Sequence, residues 1–200
     1  MNDTNKVSWT NGKNDIDTTE FKTGTLHLPR WQDLPDKELT NCELVKYINS
    51  ILCCFPGRIR PITTTMVQNY VKVQLLPRPE GKRYDRRHLA WGLAISLLKK
   101  VLTIHEISKY VRLQMEIAPL ANAYNMFIDQ LESAGKYVFS PTVIEEETVC
   151  FPAYQVNRSA AVLCNICHAI ALKLMAEIFL TEEDFAAFYL NSSPRKEITK

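Results

Sequence analysis

Ile62-Thr-Thr-Thr-Met-Val-Gln-Asn-Tyr-Val-Lys-Val-Gln-Leu-Leu-Pro77 decides how the rest of this 200-residue chain is read. One of its threonines is expected to cap a short helix. Thr65 with Gln68 is a second candidate capping box, in which a hydroxyl accepts from the amide three residues on while the longer side chain reaches back. Val67, Tyr70 and Val71 fall on one side of such a helix, and Gln68, Asn69 and Lys72 on another. Leu75 and Leu76 then close the unit against a core.

Upstream, Thr40 and Glu43 form a capping box that opens a helix over 41–54, with Leu44, Ile48, Ile51 and Leu52 as its apolar face and Pro56-Gly57 as its stop. Residues 26–31 are a short, partly apolar stretch placed to dock on that core. Downstream, Pro77-Arg-Pro-Glu-Gly-Lys-Arg-Tyr84 is punctuated by two prolines and a glycine, which excludes a helix and points to a tight basic hairpin. Asp85 caps the next helix, with Leu89, Leu93, Leu97 and Val101 at helical spacing. Thr103 and Glu106 make a further capping box for a helix over 104–114, with Ile107 and Val111 inward. The expected order is helix, short helix, basic hairpin, helix, helix.

The formal charge of +2 hides a strong asymmetry. Residues 56–112 hold twelve Lys or Arg against Glu80, Asp85 and Glu106, a net of +9, and the remainder carries −7. A field concentrated this way favours a polyanionic partner over about one Debye length, roughly 8 Å at physiological salt.

The second half has a different character. Pro119 suits the first turn of a helix, and Leu120, Tyr124, Phe127, Ile128 and Leu131 make an apolar stripe ending near Gly135. Residues 136–153, with the run Glu145-Glu146-Glu147, are expected to be irregular or briefly extended. A long helix over 156–179 has two apolar faces, so it is buried at the centre of a bundle or against a second subunit. A short helix from Thr181 to Leu190 closes the chain. The fold class expected is all-α, mainly helical, with a small β wing: a winged helix-turn-helix head followed by a C-terminal helical bundle. Its divisions are a disordered leader (1–24), a DNA-binding head (25–114), a helical dimerisation or regulatory part (115–190) and a flexible tail (191–200).

The segment from Ile62 to Pro77 resembles the second helix of the MerR-type winged helix-turn-helix, with its Val-Ser/Thr opening and Leu-Leu-Pro ending. Arg83-Tyr84-Asp85 resembles that family's wing-to-helix step, and Leu102-Thr-Ile-His-Glu-Ile107 a later helix start. Together with Leu28-Pro-Arg-Trp31, the whole chain is similar to an uncharacterised Gram-positive bacterial family, domain of unknown function 1836. Gln68 and Asn69 stand where the MerR type has Arg and Tyr, and Gln74 where it has glycine.

The resemblance implies a winged helix-turn-helix, and the +9 segment coinciding with that order of elements points to a transcriptional regulator that binds double-stranded DNA as a homodimer, with room for an unknown effector. Thr64, Thr65, Gln68, Asn69 and Lys72 are the expected DNA face, since a short helix enters the major groove and Gln or Asn can bond adenine in a bidentate way. Tyr70 reaches a phosphate or fills the core. Arg78, Lys82, Arg83, Arg86 and Arg87 are the wing and phosphate candidates. The competing expectation is a helix-turn-helix-shaped interaction module that binds an acidic protein.

Other motifs are set aside. Cys164-Asn-Ile-Cys167-His168 matches a haem-attachment pattern but falls in a helix expected to be buried, and a structural zinc site would need a fourth ligand such as Cys150. No nucleophile elbow or phosphate loop is present, so neither an enzyme nor a cofactor or metal is expected. His27, His88 and His105 read as lone surface histidines, and Trp91 as a core or dimer residue. Residues 1–24 lack the apolar segment of a signal peptide. The apolar stretch over 159–172 falls short of the about 20 residues needed to span a membrane. The six cysteines form no disulfide framework, which fits reduced thiols in the cytoplasm.

Overall fold

Side-chain caps start the helices of the first half. In the computed structural model, which describes residues 26–55, 59–139, 142–145, 148–150 and 160–181, Thr40 and Glu43 close a reciprocal box at the start of α1 (Asn41–Leu52). Thr103 and Glu106 do the same for α4 (Ile104–Ile117). Asp85 caps α3 (Arg86–Leu98) by accepting from the Arg87 amide at 2.9 Å. Each cap satisfies amides that have no partner inside the helix. For α2 (Thr64–Lys72) the cap is Thr63, whose hydroxyl accepts from the Met66 amide at 3.2 Å. The helix therefore starts two residues earlier than a Thr65–Gln68 box would place it, and Thr64 and Thr65 occupy its first turn.

α2 ends in a Schellman motif. The Leu75 amide donates to the Tyr70 carbonyl at 2.8 Å and the Gln74 amide to the Val71 carbonyl at 3.1 Å. The motif puts Gln74 at φ 58°, the left-handed region that favours glycine. Leu75 and Leu76 follow into the core.

The basic segment is a tight turn: Gly81 (φ 52°) and Lys82 (φ 66°) are its central residues, and the Arg83 amide donates to the Glu80 carbonyl at 2.7 Å. Positive φ at both central positions is the type I′ combination that matches strand twist. The chain leaving the turn pairs with the segment before α1, because Leu39 and Tyr84 exchange both backbone hydrogen bonds at 2.7 and 2.8 Å. These are isolated bridges. Among the described residues, the strands are β1 (Thr142–Glu145) and β2 (Thr148–Cys150), an antiparallel pair in the stretch expected to be irregular or briefly extended.

α5 (Leu120–Phe139) and α6 (Ala161–Thr181) pack along one another, and α3 touches α1, α5 and α6. One hydrophobic cluster consequently runs from Leu26 to Met175, through Ile48, Leu93, Leu131 and Leu174. Close approach of α1 and α3 depends on Gly92, where a Cβ would overlap the Ile48 side chain. Residues 26–31 dock on α5 as expected: Leu26 and Leu28 are fully buried, Arg30 pairs with Asp129 and Glu132, and the Tyr124 hydroxyl donates to the Pro29 carbonyl at 3.1 Å. Trp31–Asp33 form a 3-10 turn beside them.

Several boundaries differ from the sequence reading. α1 stops at Leu52, α4 runs on to Ile117 and α5 passes Gly135 to Phe139. α6 runs from Ala161 to Thr181 against the expected 156–179, and its segment 161–178 is, by length and composition, long and apolar enough to cross a membrane; half of it is buried inside the protein. Two charges within it have partners, since Glu177 meets Lys100 at 2.5 Å and Lys173 at 3.8 Å. Thr181, expected to start a short helix through Leu190, is the last residue of α6; the rest of that helix, the expected leader (1–24) and the tail (191–200) lie outside the described residues.

Candidate nucleic-acid interface

α2 divides cleanly into two faces. Val67 and Tyr70 are buried, whereas Thr64, Thr65, Gln68, Asn69 and Lys72 are exposed. The helical periodicity that sends Val67 and Tyr70 inward turns the amide and cationic side chains out.

Two asparagines of α1 fix α2 in place. The Asn49 side chain donates to the Ile62 carbonyl and accepts from the Ile62 amide, each at 2.9 Å, just before the α2 cap. Asn41 donates to the Thr64 carbonyl at 3.2 Å. Sequence reading passed over both, since no local pattern marks an asparagine that bonds a backbone thirteen or more residues away.

Tyr70 does not join the exposed set. Only 5% of it is accessible, its hydroxyl accepts from the Lys99 ammonium at 2.9 Å, and that ammonium stands 5.4 Å from the ring centroid. Of its two expected roles, the structure favours core residue, and it ties α2 to the end of α3.

The expected wing cations separate into two groups. Arg78, Lys82 and Arg83 are exposed along the turn. Arg86 is half-buried, with a nitrogen 3.4 Å from Asp36 and its guanidinium 5.9 Å from the centre of the Trp31 ring. Arg87 donates through Nε to Asp85 at 2.7 Å and also meets Glu80 at 3.3 Å. Arg86 and Arg87 thus spend much of their charge on the fold, holding α3 to the turn and to the chain before α1.

Asp85 sits at the centre of this arrangement. Burial alone would raise its carboxyl, but hydrogen bonds from Arg87 and His88 outweigh that effect and hold it down at about 2. His88 is therefore no surface histidine: it is 1% exposed, and its Nδ1 lies 2.7 Å from the Asp85 carboxylate. His27 also has a partner, Glu132, at 2.7 Å, while His105 is exposed. Trp91 lines an apolar cleft between α3, α4 and α5 with Tyr110, Tyr124 and Phe127.

In α6, Cys164, Cys167 and His168 are buried. The Cys164 sulfur lies 3.5 Å from His168 Nδ1, and Cys167 contacts the Phe127 carbonyl of α5. Burial pushes the Cys167 thiol far above its usual range, which keeps it protonated. Among the described residues no group of three or more His, Cys, Asp or Glu side chains is arranged to hold a metal ion.

Searches among curated proteins and among solved structures return no match. A family model described as Domain of unknown function (DUF1836) matches residues 29–127, which carry the 3-10 turn, α1 to α4 and the first part of α5. Over that segment the match supports the uncharacterised family that the sequence resembles.

Proposed function

We propose that this protein is a sequence-specific DNA-binding transcriptional regulator whose head works as a MerR-like winged helix-turn-helix. α2 is the reading helix. Gln68 and Asn69 meet base edges in the major groove, and a bidentate amide–adenine pair contributes about 1–3 kcal/mol of discrimination. Thr64, Thr65 and Lys72 meet phosphates, which position the helix without reading sequence. The Gly81-Lys82 turn serves as the wing, with Arg78, Lys82 and Arg83 on the flanking backbone. Two copies would read two half-sites, one to each α2. Such a regulator works in the cytoplasm.

One observation carries this reading: α2 exposes Gln68, Asn69 and Lys72 together while being held from behind by Asn41, Asn49 and Lys99. A rigidly mounted helix with a free polar face suits groove reading better than a mobile one. Selection from randomised duplexes tests it. The expected product is a short inverted repeat whose half-site centres lie about one helical turn, ~34 Å, apart. A pool that never departs from random sequence would remove the reading helix from the account and favour an acidic protein partner for the same surface.

A further inference from the structure

Cys53 and Cys54 follow α1 directly, and their sulfurs stand 4.0 Å apart. Both point at one acceptor: Cys53 lies 3.2 Å and Cys54 3.6 Å from the Ser50 carbonyl. The backbone amides of Cys53, Cys54 and Phe55 go to the carbonyls of Asn49, Ile51 and Leu52 instead. Ser50 is thus the last-turn carbonyl that the thiols serve, in place of the backbone donors missing at a helix end. Cys53 is exposed and Cys54 half-buried, so a small reagent reaches the pair.

The spacing selects a chemistry. A disulfide needs sulfurs at about 2.05 Å and Cα atoms at least about 4.4 Å apart, whereas neighbouring Cα atoms across a trans peptide are about 3.8 Å apart. Oxidation to a ring is therefore strained. Two sulfurs bound to one trivalent, pyramidal centre stand closer together than the 4.0 Å found, a gap that small rotations of the two short cysteine side chains close. A structural zinc ion would require further protein ligands, and among the described residues no third ligating side chain joins the pair. The occupant must bring its own remaining substituent.

We propose that Cys53 and Cys54 form a two-thiolate site for trivalent, monosubstituted arsenicals, soft centres that are complete with two sulfurs and one carbon. With phenylarsine oxide the step is a condensation. Two S–H bonds and the As=O bond are replaced by two As–S bonds, both thiol protons leave with the oxygen as one water, and arsenic stays trivalent. Burial, with the neighbouring Cys53 sulfur, raises the Cys54 thiol, which favours its protonated form while the site is unoccupied. Binding removes both S–H donors from the Ser50 carbonyl. The neighbouring residue is Asn49, which clamps Ile62 ahead of α2, so occupancy loosens the mounting of α2.

The test is intact-mass measurement of the folded full chain after one equivalent of phenylarsine oxide, with Cys53→Ser, Cys54→Ser and Cys164→Ser variants alongside. The expected result is one doubly bonded adduct, reversed by excess of a small dithiol, lost in Cys53→Ser and in Cys54→Ser and retained in Cys164→Ser. An adduct that survives in either of the first two variants, or is absent from the parent protein, overturns the site. Amide hydrogen exchange at Ile62 reports the coupling: faster exchange in the adduct is expected, and unchanged exchange overturns that part. Neither readout requires DNA, so the site stands or falls separately from the regulator reading.

Discussion

Asn49 and Ile62 exchange two hydrogen bonds at 2.9 Å, a side-chain amide standing in for the strand that would otherwise pair with the Ile62 backbone. The Asn49 side chain is partly buried between α1 and the approach to α2. Replacing it by alanine strands one donor and one acceptor, and leaving such groups unmade costs about 1–3 kcal/mol. Asn49→Ala is expected to lower the urea midpoint by that free energy with an unchanged slope. A variant as stable as the parent would show that water takes over both bonds at no cost.

Gln74 occupies a left-handed position that suits glycine. For other L-residues this conformation costs roughly 1–2 kcal/mol, part of which glycine loses again through its freer unfolded chain. Gln74→Gly is expected to raise stability by up to about 1 kcal/mol, and a β-branched residue such as valine to lower it. Denaturant unfolding of both variants decides the sign.

Gly92 lets α3 lie against Ile48 of α1. Gly92→Ala is expected to cost about 1–3 kcal/mol as an overpacked core position. The double variant with Ile48→Ala should recover part of that loss, because the added methyl then fills space vacated by isoleucine. Additive losses in a double-mutant cycle would contradict direct contact as the cause.

Asp85 titrates at about 2 when folded, against an ordinary value of 3.8. A carboxyl with a lowered folded value contributes stability that is fully present above its unfolded value and is lost as pH falls through the folded one. The contribution of this cap should therefore be intact at pH 5, decline from about pH 4 and be gone below about 2. Asp85→Asn should be less stable than the parent at pH 5, with the gap closing across that interval. A gap that stays constant down to pH 2 would mean that ionisation of Asp85 is not what ties Arg87 and His88 to the turn.

The parts legible in the sequence are those whose chemistry is local. Thr40 with Glu43, Thr103 with Glu106, and Asp85 bond amides two or three residues away, so residue type and spacing specify them. The exposed set on α2 follows from helical period alone. What escaped depends on distant chain segments: Asn49 on Ile62, Lys99 on Tyr70, Glu177 on Lys100, and the burial of His88. The charge count overstated the free cations for the same reason, because it gave Arg86 and Arg87 no partners when Asp36, Asp85 and Glu80 are theirs. The choice among three consecutive threonines for the α2 cap was equally undetermined locally, since each offers the same hydroxyl.

The regulator reading rests on the outward face of α2, and binding to a selected DNA site as a function of salt tests it most directly. Neutralising Z phosphates gives a log–log slope of about −0.9Z, so the parent protein should lose affinity steeply with salt, and Lys82→Ala should flatten the slope by about one unit per copy bound. Gln68→Ala with Asn69→Ala should keep the slope and lose preference for the selected site by about 10-fold or more. No binding at low salt, or site preference undiminished without Gln68 and Asn69, would contradict the claim that α2 reads DNA.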